Sequence, residues 1–279
     1  MILTLSCADR PGIVSRVASF LFERGGNILD AQQFGDVETR QFFMRVVFEA
    51  SDRPVAALRE AFAPIGAEFA MTWTIRDPKV RRKVMILASQ ADHCLSDLIW
   101  RWRRGELPMD ICAVVSNHPA ETYSSIDLSG LPFHHLPVGR DTKLEQESAI
   151  WALIQATGAE LVVLARYMQI LSDGLAAKLE GRCINIHHSF LPGFKGANPY
   201  AQAHARGVKL IGATAHFVTK DLDEGPIIEQ NVTRVEHSDS KNHLVEIGQD
   251  AESKTLTQAV KWFSEHRVLL DGQRTIIFR

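Results

Sequence analysis

The stretch CINIHHSFLP (183–192) decides the fold class. Its first five residues alternate as a strand does, which puts Asn185 and His187 on one face and Ile184 and Ile186 on the other. It is the last of a series: Val84–Ala88, Ile111–Ser116 and Leu161–Ala165 are similar short apolar runs, separated by helix-patterned stretches such as Leu95–Arg104 and Leu144–Thr157. That alternation predicts a Rossmann-like, doubly wound α/β sheet. Open sheets of this kind bind ligands beyond the carboxyl ends of their strands, and His187 falls where its strand should end. An amide and a titratable imidazole would then converge on one crevice. The plainer alternative is that Asn185 bonds local backbone and His187 is a satisfied strand-end histidine.

Downstream, Ile211–Thr219 and Pro226–Thr233 predict a strand pair, Lys241–His266 a long closing helix and Arg274–Phe278 a terminal strand. Upstream the pattern is different. Met1–Cys7 is a short apolar run, and Asp9-Arg10-Pro11-Gly12 offers an N-cap and a proline near the first turn of a helix expected from about Gly12 to Glu23. Asn27–Asp36 and Arg40–Glu49 alternate like a hairpin, Pro54–Pro64 reads as a second helix and Glu68–Ile75 as a last strand. This βαββαβ order is the ferredoxin-like unit. The basic, proline-containing run RDPKVRRK (76–83) reads as the linker, so the expected domains are 1–78 and 79–279.

Composition narrows the function. The chain has 279 residues, 46% hydrophobic and 23% charged, with a net charge of −2, enough to build a core and too balanced for a nucleic-acid binder, which needs clustered Lys and Arg. No apolar run approaches the ~20 residues of a membrane span, and the chain opens on strand-like MILTLS without a signal-peptide pattern. A cytoplasmic protein acting on a small molecule is expected. Cys7, Cys94, Cys112 and Cys183 lack CxxC spacing and read as buried thiols.

The segment GATAHFVTKDLDEGPIIEQ (212–230) places Asp221, Asp223 and Glu224 in a loop between two apolar runs. A loop aspartate is most often a turn or cap residue, but the following Gly225-Pro226 is a rigid turn able to aim Asp223 inward. His187, His216 and Asp223 together suggest a metal centre, yet no HxxxH or HxH pattern fixes two imidazoles on one element, so no metal is expected. His188 reads as structural or supporting and Ser189, without a GxSxG elbow, as a turn residue. Lys195, Gly196 and Asn198 form a polar loop that shapes access.

INIHHSFLPGFKGANPY (184–200) together with 212–230 resembles the signature of the formyltetrahydrofolate-dependent formyltransferase fold, shared by glycinamide ribonucleotide transformylases, methionyl-tRNA formyltransferases and formyltetrahydrofolate deformylases. The resemblance implies catalytic roles for Asn185, His187 and Asp223 and a folate-contacting segment at Arg166-Tyr167-Met168-Gln169-Ile170-Leu171. The first seventy or so residues resemble an ACT domain. That implies an effector site at Asp9, Arg10, Pro11 and Gly12, homo-oligomerisation, and a possible methionine or glycine effector. ACT followed by a formyltransferase domain is the arrangement of the deformylases.

The acceptor separates these relatives. A ribonucleotide phosphate would sit on glycine-rich amides after the first strand of the sheet, but LASQADHCL (87–95) has no glycine and Asp92 would repel it. A tRNA would need a basic C-terminal module, and the chain beyond Asp223 carries no dense basic cluster. Water remains, so the expected reaction is 10-formyltetrahydrofolate plus water to formate and tetrahydrofolate, with no cofactor. Asn185 and His187 would stabilise the oxyanion and Asp223 would orient the water. Formyl transfer to an amine, or a non-catalytic amino-acid and folate sensor, are the alternatives.

Overall fold

The computed structural model describes residues 1–50, 54–191 and 199–279. The chain divides into two compact units, one of residues 1–81 with 265–271 and 276–279, the other of 82–264 with 272–275.

The first unit contains β1 (Ile2–Ala8), α1 (Ile13–Phe22), β2 (Gly26–Asp36), β3 (Gln41–Ala50), α2 (Val55–Glu68) and β4 (Thr72–Arg76). Its sheet has the order β2-β3-β1-β4 with every pair antiparallel, the ferredoxin-like arrangement. The apolar stripes of both helices close one core with β1, β3 and β4. Phe62 lies at its centre, edge-on to Phe20 at 5.1 Å and to Trp73 at 4.8 Å between ring centroids.

Two local expectations need correction. Asp9 does not cap α1: the N-cap is Gly12, at φ 97° with no side-chain cap, while the Asp9 backbone N–H donates to Arg40 O at 2.8 Å. A glycine in the left-handed region makes this turn by conformation alone. Nor does α2 stop at Pro64; it runs through it to Glu68. Ile65 continues the buried stripe of Leu58 and Phe62, and that packing offsets the ~3 kcal/mol a helix-interior proline costs.

The second unit contains β5 (Arg82–Ala88), α3 (His93–Arg103), β6 (Met109–Ser116), β7 (Phe133–His135), α4 (Lys143–Thr157), β8 (Leu161–Ala165), α5 (Asp173–Lys178), β9 (Cys183–His187), α6 (Pro199–Arg206), β10 (Leu210–Phe217), β11 (Ile227–Arg234) and α7 (Lys241–Ser264). A terminal ribbon of β12 (Val268–Asp271) and β13 (Arg274–Ile277) follows. The main sheet runs β11-β10-β9-β8-β5-β6-β7. Its five strands from β9 to β7 are parallel, and β10 and β11 add an antiparallel edge. From β5 to β7 the chain moves outward one way, then returns to lay β8 on the other side of β5. The strand order therefore reverses between β5 and β8, the place where open sheets leave a crevice at their carboxyl ends. Among the described residues, no helix is long and apolar enough to cross a membrane.

Truncating Phe62 to Ala leaves a void among buried rings. We expect it to destabilise the fold by about 3–5 kcal/mol, read from chemical denaturation of the full chain; a loss below about 1 kcal/mol would show that Phe20 and Trp73 collapse into the space.

Candidate active site

Strand β9 ends by presenting Asn185 and His187 on one face. Antiparallel pairing with β10 sets His216 opposite Asn185 and Thr214 opposite His187. The turn after β10 then brings in Asp223, which adopts φ 56°, a left-handed conformation that aspartate tolerates better than most residues. Gly225 makes the turn possible. A Cβ there would lie 1.8 Å from Phe217 O, against which the chain folds back so that Phe217 N–H donates to Pro226 O at 2.9 Å.

Asp223 stands between two imidazoles, Oδ2 at 3.2 Å from His187 Nδ1 and Oδ1 at 3.6 Å from His216 Nε2. Burial alone would raise its carboxyl, but the hydrogen bond from His187 and the neighbouring His216 ring outweigh that and hold it well below the usual carboxylate range. A carboxylate only accepts, so His187 Nδ1 carries the proton. His187 Nε2 is buried and has no partner among the described residues. The Asn185 amide nitrogen lies 3.3 Å from His216 Nε2; with two N–H groups it keeps one for another acceptor.

These side chains line a cavity of about 570 Å³ together with Arg166, Tyr167, Met168, Gln169, Ile170 and Leu171, a volume suited to a small organic ligand. Met168 and Ile170 are largely exposed on its wall. Tyr167 is different: it is buried, donates to Gln146 Oε1 at 3.1 Å, and burial pushes its hydroxyl up to about 12. Arg166 and Met168 have φ of 59° and 58°, so with Asp223 three of the six non-glycine residues at positive φ among the described residues meet at this cavity. Strain of this kind, on the order of 1–3 kcal/mol per residue, persists only where surrounding structure enforces it, and it concentrates at functional sites.

Asp9, Arg10, Pro11 and Gly12 belong to the other unit, exposed at the β1–α1 turn. There Arg10 donates to Glu68 O at 2.6 Å and lies over the Phe69 ring. Pro192, Gly193, Lys195, Gly196 and Asn198 lie outside the described residues.

The Formyl transferase family profile matches residues 82–260 and the ACT domain profile residues 1–63. Formyltetrahydrofolate deformylase of Corynebacterium sp. (strain P-1) is 48% identical over 280 residues, covering 100% of this chain and 98% of its own. The chain belongs to the formyltetrahydrofolate deformylase family. A solved deformylase structure from Burkholderia mallei matches with a TM-score of 0.95 at 53% identity, over 100% of this chain and 99% of that one. Glycinamide ribonucleotide transformylase 1 from Symbiobacterium toebii matches with a TM-score of 0.65 at 29% identity, over 71% of this chain and 95% of that one.

The chain also carries a buried polar group that its sequence did not disclose. Glu252, on α7 and with a side chain 1% exposed, accepts from His93 Nε2 at 2.8 Å and Tyr200 OH at 2.5 Å and pairs with Arg166 Nε at 3.3 Å. Gly248 leaves room for the tyrosine, since a Cβ there would lie 2.2 Å from the Tyr200 ring. Burial would raise the Glu252 carboxyl, but His93, Arg166 and Tyr200 hold it below its ordinary value. His93, Cys94 and Glu252 also have donor atoms within 4.8 Å of one another. The neighbouring guanidinium opposes a cation there, and burial keeps the Cys94 thiol protonated.

Because the Asp223 carboxyl is depressed in the folded state, the stability it contributes is present above its unfolded value near pH 4 and is lost as pH falls. Asp223→Asn should therefore be less stable than the parent chain at about pH 7, and the gap should narrow steadily from about pH 4 down to about pH 2, closing only in stronger acid. Denaturation midpoints across that range check this; a gap that stays constant would mean the carboxylate charge is not what matters.

Proposed function

We infer that the chain hydrolyses 10-formyltetrahydrofolate to formate and tetrahydrofolate, the activity its relatives are named for. The observation that carries the assignment of roles is the meeting of Asn185, His187 and Asp223 at one cavity, with His187 Nε2 buried and without a partner among the described residues. The pterin lies against Arg166–Leu171, where backbone groups read its hydrogen-bonding edge and Met168 and Ile170 supply apolar wall. The formyl carbon faces Asn185 and His187. Asn185 donates its remaining N–H to the oxyanion, an interaction worth about 3 kcal/mol in comparable sites. His187, once its Nε2 is protonated, donates a second hydrogen bond, and Asp223 both holds that ring and accepts a proton from the water. The scheme draws on no cofactor.

The place where a transferase would hold an acceptor phosphate supports water as the acceptor. Between β5 and α3, the buried Tyr123 donates to Ser89 O at 2.6 Å and bonds Ser116 Oγ at 2.7 Å. Asp92 stands at the start of α3, accepting from Ser125 Oγ at 2.8 Å. A phosphate there would meet the Asp92 carboxylate.

For the first unit we propose an amino-acid effector, methionine or glycine, and assembly into a homo-oligomer. The left-handed Gly12 leaves the first N–H groups of α1 without a side-chain cap, open to a carboxylate. Calorimetry of the full chain against an amino-acid panel should give heat with at least one of them; silence across the panel would leave assembly as the role of this unit.

His187→Ala and Asp223→Asn should each lower kcat for formate release by about two orders of magnitude or more, with KM little changed, because both act on the transition state. Full activity in either variant would overturn the assignment. Met168→Ala should be mild if backbone groups read the pterin.

A further inference from the structure

His188 follows His187 at the end of β9. The two rings stack, with centroids 4.9 Å apart and planes 22° from parallel. Arg166 Nη1 lies 2.7 Å from His188 Nδ1. A guanidinium can only donate, so His188 Nδ1 must accept and the neutral ring carries its proton on Nε2. That Nε2 is buried and has no partner among the described residues, and His188 lines the same cavity as His187 and Asp223. A buried donor without an acceptor is costly unless a ligand supplies one.

The arrangement is locked from behind. Arg166 is held on Glu252, which is itself tied to Tyr200 and His93. The stacked rings consequently have opposite tautomers. His187, with an acceptor facing Nδ1, carries a lone pair on Nε2 while neutral; His188, with a donor facing Nδ1, carries an N–H there, and both rings line the cavity. Burial, Arg166 and His187 push the His188 ring down to about 4, so it stays neutral at ordinary pH.

We propose that His188 is a catalytic residue whose Nε2–H binds the attacking water, and that this donor makes the site selective for water over an amine. The proposal rests on the hydrolase reading above. Water has two lone pairs and two protons. One lone pair accepts from His188 and one proton points to Asp223, which leaves the second lone pair free to bond the formyl carbon. As that C–O bond forms the proton passes to Asp223; the C–N10 bond then breaks, N10 takes up a proton, and formic acid leaves to ionise. A primary amine has a single lone pair. Held by His188, it has none left for attack. Arg166 and Glu252 are positioning residues that fix the tautomer.

Two variants of the full chain test this. His188→Phe keeps the ring and removes the donor; His188→Gln restores an N–H donor at a similar reach. With 10-formyltetrahydrofolate and no amine, His188→Phe should lower kcat for formate release about tenfold or more with KM within about twofold, and His188→Gln should recover most of the rate. With glycinamide added, the ratio of formylated amine to formate should rise in His188→Phe above that of the parent chain. Unchanged kcat in His188→Phe, or equal loss in both variants, would overturn the donor role, and an unchanged ratio would overturn the selectivity. Imidazole 15N spectra of the parent chain, which need no variant to fold, should place the His188 proton on Nε2; a proton on Nδ1 would sink the proposal. If the parent chain releases no formate, the hydrolase reading fails; if it does and His188→Phe is unaffected, only this proposal fails.

Discussion

The pairing of Asp223 with His187 sets the terms for the rest of the catalytic unit. A carboxylate half-buried beside an imidazole keeps its charge only if the partner's donor is already in place when water is excluded. Here neither side chain has much freedom. His187 is fixed by β9, whose neighbours β8 and β10 pair it on both sides, and Asp223 by a left-handed residue in a turn that closes against Phe217 through Gly225. The β10–β11 edge, antiparallel in an otherwise parallel sheet, exists in the right place to carry that turn.

A second layer of buried charge supports the first. Arg166 and Glu252 would each be expensive alone away from water, and removing either partner would strand the other. Their ion pair is completed by Tyr200 and His93, drawing α3, α6, α7 and the chain after β8 onto one point. Packing that looks purely structural from α7 is thereby connected to the orientation of an imidazole at the cavity.

What could be read from the sequence follows from where burial is two-sided. β8 has the boundaries that its continuous apolar run predicts, because a strand covered on both faces leaves no ambiguity of pattern, and β9 those of its alternating run. The strand pair of β10 and β11 and the long helix α7 were likewise legible. β7 has three residues and α5 six, too few for any period to register. Pro64 misled because tertiary packing outweighs a local preference, and Asp9 because a glycine conformation replaced a side-chain cap. Glu252 was invisible for a different reason: a glutamate in a helix carries no sign of burial, and its partners come from three separate elements. His188 read as supporting because its tautomer depends on Arg166, whose placement across the sheet no spacing announces.

The position of Glu252 so late in the chain bears on biosynthesis. His187 and Asp223 leave the ribosome before α7 is complete, and until that helix docks, Arg166 has no anchor and the His188 ring no fixed proton. A nascent chain could fold its sheet and still lack an ordered water site. The orientation of the His188 ring would then be set only when translation of this unit is nearly finished.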